Sequence, residues 1–153
     1  MAGLDREAIY AALFTRLQTI AGIQKFYRVD LPPDQIPDSL QPALILKADT
    51  EEPQQRPGTG PVWTLRPMVG ILARTKSTDE SPDTVLAGFV KLAEEALQRP
   101  QTEPQRDASH EHETTLGGVC RRAWLSGPVQ YIQGRGTQEG TVYFWIEIIA
   151  ETP

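Results

Sequence analysis

Apolar residues recur at helical spacing from Asp5 to Ala21. Ile9, Leu13, Leu17 and Ile20 fall on one stripe, and Tyr10 and Phe14 widen it. Asp5 is a good N-cap residue, and Gly22 stands where a glycine ends a helix. A second stripe, Val85, Leu86, Phe89, Val90, Ala93 and Leu97, follows the helix start Ser81-Pro82-Asp83 and stops at Pro100. The other ordered stretches have strand character. Lys25 to Val29 predicts a short strand. Ala43 to Ala48, nearly all apolar, predicts a central one. Val119 to Leu125 and Thr141 to Ala150 predict the last two strands, the final one rich in β-branched and aromatic residues.

Val62 to Thr75 is the longest patterned stretch. At about 3.3 Å per residue it predicts a strand of roughly 40 Å, about twice the usual length. Period-2 counting puts Trp63, Leu65, Val69, Ile71 and Ala73 on one face. Thr64, Arg66, Met68, Leu72 and Arg74 fall on the other. Pro67 removes one ladder donor, so an edge position or a bulge is expected there. Leu31 to Pro42 holds four prolines and reads as a loop. Asp49 to Pro61, acidic and then rich in Pro, Gly and Gln, reads as a mobile connection or a long hairpin arm. Gln101 to Thr115 is polar and long for a compact loop, so it is expected to be disordered or ordered only by a partner.

The resulting order is α-β-β-β-α-β-β. Two helices packed on one face of a mostly antiparallel sheet make a two-layer α+β fold, and the 153 residues fit one domain. The net charge of −5 and the pI of about 5.0 argue against phosphate-backbone binding as the main task. One cysteine, Cys120, excludes an intrachain disulfide. No secretory leader or membrane-length apolar run is recognisable, so assembly in a cytoplasm is expected.

The motifs with chemical potential are weak. His110-Glu111-His112-Glu113 offers two histidines to a metal, too few for a zinc site, and a solvated loop is favoured. Gly134-Arg135-Gly136 precedes a strand rather than a helix, so it reads as a hairpin turn and not a phosphate loop. Cys120 has no histidine nearby and reads as a core thiol. Asp49, Glu51 and Glu52 could pair for acid–base work, but a solvated strand end is simpler. Trp63, Trp124 and Trp145 suit packing better than a stacking platform. An enzyme would need several improbable assumptions at once. The expectation is a non-enzymatic assembly protein with no cofactor and no metal.

Several segments in order resemble the phage tail terminator proteins of lambda-like long-tailed phages, also called tail completion or tail-to-head joining proteins. Arg6 to Leu17 resembles their opening helix, and Gln41-Pro-Ala-Leu-Ile-Leu46 their first core strand. Pro61-Val-Trp-Thr-Leu65 with Leu72-Ala-Arg-Thr75 resembles the long strand. Leu92 to Leu97 is similar to the second helix. Thr115-Leu-Gly-Gly-Val119 with Ala123-Trp124 resembles the turn into the penultimate strand. Pro67 and the polar run Gln101 to Glu113 depart from the pattern.

The resemblance implies a homo-hexameric ring in the virion, at the head–tail junction. The ring would cap the completed tube of major tail protein, stop its growth and dock a head-completion or connector protein. DNA would pass through the lumen without sequence-specific binding, and no catalytic residue is implied. A neck or connector protein of similar fold is the alternative, with a small ligand-binding α+β domain behind it. An acidic lumen would repel the duplex. Ring interfaces are head-to-tail. The interface candidates are Trp63, Arg66 and Arg74 of the long strand, with Arg56, Gly58 and Gly60 of the arm, since Trp and Arg favour hot spots. Core packing of Trp63 and solvation of the arginines are the competing roles.

Overall fold

A computed structural model describes the chain apart from residues 1–2, 30, 78, 99–112, 135, 137 and 153. Helix α1 spans Arg6–Leu17 and α2 Pro82–Ala96. The strands are β1 (Lys25–Tyr27), β2 (Ala43–Arg56), β3 (Thr59–Arg74), β4 (Arg122–Gln133) and β5 (Glu139–Glu151). They form one sheet in the order β1-β2-β3-β5-β4. Every neighbouring pair is antiparallel except β1 with β2. The expected α+β order is the observed one.

Both helices begin at the sequence-predicted caps. The Asp5 carboxylate accepts from the Ala8 N–H at 3.0 Å, and the Ser81 hydroxyl accepts from the Asp83 N–H at 3.3 Å. Helix α1 stops at Leu17, short of Ala21, and Gly22 turns the chain with φ +90°. A side chain at Gly22 would meet the Phe89 ring at 3.3 Å, so this turn lies directly against α2.

The helices cover one face of the sheet. Leu13, Leu17, Leu86 and Ala93 pack there on Leu44, Leu46, Leu65, Ile71, Phe144, Ile146 and Ile148. Each side chain of that size, fully buried, contributes about 1.5–3 kcal/mol. Helix α2 rests against Gly140, where a Cβ would meet Pro82 and Leu86 at 3.1–3.2 Å. On the opposite face, residues 31–42 cross one end of the sheet. Ile36 seals Ala43, Ile45 and Leu72 into a second, smaller core. This crossing contains two short 3-10 turns, Pro33–Gln35 and Asp38–Leu40.

The long strand is 16 residues, about 50 Å at strand rise. It is not an edge strand: β2 flanks it on one side and β5 on the other. The face assignment holds, since Leu65, Val69, Ile71 and Ala73 join the helix-side core and Leu72 joins the other. Pro67 is tolerated because β2 bulges opposite it. The pairing steps from Lys47↔Met68 to Thr50↔Arg66, so Ala48 and Asp49 together face the one proline. On the β5 side the register passes Pro67 unchanged, from Leu65↔Ile148 to Met68↔Trp145.

Three other boundaries move. Strand β2 continues past Ala48 to Arg56, so Asp49–Pro61 is mainly ladder. Strand β1 ends at Tyr27, before Val29. Strand β4 starts at Arg122, after a turn that holds Val119, and runs on to Gln133.

Candidate interaction surfaces

The distal ends of β2 and β3, residues 52–56 with 59–62, form an arm beyond the core that the helices cover. Its tip turns at Pro57-Gly58, with Gly58 at φ +73° and open space around it. Past the bulge, the side chains of β2 exchange faces. Before it Leu44 and Leu46 face the helices; after it Glu51 does. The Glu51 carboxylate receives the Arg6 Nε–H at 2.6 Å and the Tyr10 hydroxyl at 2.5 Å. The Arg6 guanidinium also lies over the Trp63 ring, 4.4 Å from its centre. Helix α1 is thereby fastened to the base of the arm.

The electrostatics follow from this clasp. Burial alone would raise the Glu51 carboxyl, but hydrogen bonds from Tyr10 and Arg6 outweigh it and hold it below its usual range. Burial, and then the hydrogen bond to Glu51, push the Tyr10 phenol well above its ordinary value.

The six interface candidates lie apart. Trp63 is half-buried on the helix side under Arg6. Arg66, on the opposite face, donates to the Gly127 carbonyl at 3.5 Å. Arg74, at the other end of β3, pairs with Asp38 at 3.5 Å. Arg56 lies 3.6 Å from Glu151, which Arg121 also reaches at 3.1 Å. Gly58 is the exposed tip, and Gly60 packs closely on Thr152, where a Cβ would stand at 3.0 Å. They occupy two faces and both ends of the arm strand, and do not form one patch.

The acidic triplet is likewise split. Asp49 accepts from the Trp145 indole at 2.9 Å on the face away from the helices, Glu51 binds α1, and Glu52 is exposed. Trp124 lies under Arg122 at 4.6 Å and belongs with Trp145 on that far face, so the three tryptophans make no common platform. The buried Cys120 thiol donates to the Thr115 carbonyl at 3.4 Å, in the turn before β4 rather than in a strand. Gly134 and Gly136 belong to the β4–β5 hairpin connection. His110, Glu111 and His112 lie outside the described residues. Among the described residues no three His, Cys, Asp or Glu side chains gather as a metal site.

Two features escaped the sequence. Tyr10 and Glu51 are 41 residues apart, and only the bulge turns them together. Tyr131 and Ile132 lie past the predicted end of the strand at Leu125, yet they are exposed on β4. The signal for them was the uncharged run Leu125–Gln133.

The fold is a two-layer α+β sandwich whose sheet has one face free of helices. Comparison with protein-family models finds no match, and none is found among curated proteins. Among solved structures the chain is similar to a chain of the virion of native gene transfer agent particle. The TM-score is 0.56 at 11% identity, and the match covers 92% of each chain. This chain shares its fold with a component of that virion particle.

Proposed function

We propose that this protein is a structural component of a phage-type virion that caps a completed tail tube as a hexameric ring. The ring stops tube polymerisation and presents the surface that docks the head. The observation that carries the virion reading is the shared fold with a gene transfer agent virion chain, over 92% of each chain. The terminator role is the finer step. It is supported by the ordered resemblance of α1, β2, β3, α2 and the turn into β4 to tail terminators. The partners are then further copies of the chain, the tube protein and a head-completion protein, and the role is non-enzymatic. DNA passes through the lumen without being read.

The arm fits such a role. It is long, lies beyond the helical layer, and is clasped at its base by Glu51, so its direction is fixed relative to α1. A defined arm suits docking better than a loose one, because less conformational entropy is lost on assembly.

The test is the mass and function of the purified chain. Assembly to six times 17.0 kDa, with closed rings in negative stain and arrest of tube growth when added to polymerising tube subunits, is the expected result. A chain that stays monomeric at high concentration, and leaves tube length unaltered, overturns the reading. Rings that bind a portal complex but ignore tube subunits would identify a connector instead.

A further inference from the structure

One row of side chains crosses all five strands. Phe26, Leu44, Ile71, Val142 and Tyr131 are successive register partners on the helix-bearing face. The three central members are fully buried, whereas Tyr131 is 43% exposed at the β4 margin. The adjacent row on the opposite face is Lys25, Ala43, Leu72, Thr141 and Ile132, and Ile132 is 48% exposed. At the far margin Val29, two residues past β1, is 55% exposed. Large apolar side chains therefore stand in water along the β4 margin, level with Lys25 and Phe26, and Val29 does so just beyond β1 at the other margin.

The backbone at these margins is also open. Near its start, β4 is closed by the Thr114↔Ala123 bridge, and around Gly127-Pro128 its register is broken. Among the described residues, nothing pairs with the outer edge of Val129–Gln133 or with that of Lys25–Tyr27. Edge strands are usually protected by charge, proline or a bulge, and an uncharged edge with apolar side chains is a template for another strand. Val129–Gln133 carries no charged residue.

Strand direction selects the occupant. Strand β1 runs parallel to β2, and β2, β3, β5 and β4 alternate, so β4 runs opposite to β1. A second copy displaced sideways along the sheet brings antiparallel edges together, the more stable pairing. It also continues the buried row, setting Tyr131 of one copy beside Phe26 of the next. The two edges differ, so the contact is head-to-tail and closes into a ring or extends as a filament.

We propose that copies of this chain join edge to edge, with Val129–Gln133 of β4 pairing antiparallel to Lys25–Tyr27 of the next copy. This rests on the ring reading above and names the surface that builds the ring. Lys25→Cys with Ile132→Cys, in a Cys120→Ser background, tests it by mild oxidation under assembly conditions and a non-reducing gel. A ladder of covalent oligomers from the double variant, with neither single variant cross-linking, is the expected result. Dimers from Ile132→Cys alone would reveal two-fold β4–β4 pairing and overturn the proposal. So would rings of full mass in which the double variant never cross-links, an outcome that leaves the ring reading intact. A wild-type chain that never assembles, even with tube subunits, would defeat both. As a second arm, Tyr131→Lys with Ile132→Lys, both at exposed positions, should keep the folded circular dichroism spectrum and raise the concentration needed for assembly at least tenfold. Unchanged assembly of that variant overturns the edge contact.

Discussion

The Tyr10 hydroxyl and the Glu51 carboxylate meet at 2.5 Å, joining α1 to the arm strand across 41 residues of chain. A hydrogen bond to a charged acceptor in a half-buried site is worth about 1.5–3 kcal/mol. Tyr10→Phe and Glu51→Gln should each destabilise the protein by about 1–2 kcal/mol in urea unfolding. In the double variant the losses should be less than additive, because both remove the same bond. Strict additivity would show that the two side chains act independently.

The same pair sets a pH dependence with two limbs. Glu51 has a lowered folded pKa, so its contribution is complete above the ordinary carboxylate value of 4.5 and is lost as pH falls through the folded value. Tyr10 has a raised folded pKa, so its contribution is complete below 10.0 and declines as pH rises beyond that. Unfolding free energies measured from pH 3 to 11 should therefore fall at both ends. Glu51→Gln should flatten the acid limb relative to wild type, and Tyr10→Phe the alkaline limb.

Glycine substitutions should separate crowding from backbone strain. Gly70 lies beneath the Tyr143 ring, where a Cβ would sit at 3.0 Å from Cε1. Gly70→Val should cost about 1–3 kcal/mol through overpacking. Gly58 has open space but a φ of +73°. Gly58→Ala should cost about 1 kcal/mol from the left-handed backbone alone, and Gly58→Asn less. Thermal unfolding of the three variants gives the ranking.

Arg74 pairs with a well-exposed Asp38 at 3.5 Å, a contact worth no more than about 1 kcal/mol. Arg74→Glu should therefore fold normally, and its effect on ring formation and tail length can be read without a stability correction. Ring formation and length control equal to wild type would remove Arg74 from the interface.

The helices and the core face of β3 were legible because amphipathic periodicity is local: Ser81-Pro82-Asp83 and the Leu65–Ala73 alternation carry their own signals. Of the two readings of Asp49 to Pro61, the long hairpin arm is the observed one, but its continuity with β2 as far as Arg56 carries no local signal. Pro53 and the run of acids there have low strand propensity, and only pairing with β3 and the hairpin turn hold them extended. At Pro67 the expected irregularity is present as a bulge, while the edge position is not. What β3 alone does not reveal is that the partner strand supplies that bulge, at Ala48–Asp49. The candidate arginines were visible as residue types, but their distribution over two faces depends on sheet order.

The extra residue in β2 acts like a shift of reading frame in the ladder. Proximal to it, even-numbered side chains face the helices; distal to it, odd-numbered ones do, as Leu46 and Glu51 show. Removing Ala48 or Asp49 would take out the bulge itself: one residue would then separate Lys47 from Thr50, as one separates Met68 from Arg66, and Glu51 would stay opposite Leu65 and facing Tyr10. What such a deletion removes is the slack opposite Pro67. It is therefore expected to strain the sheet at that proline and leave the clasp at the base of the arm in place.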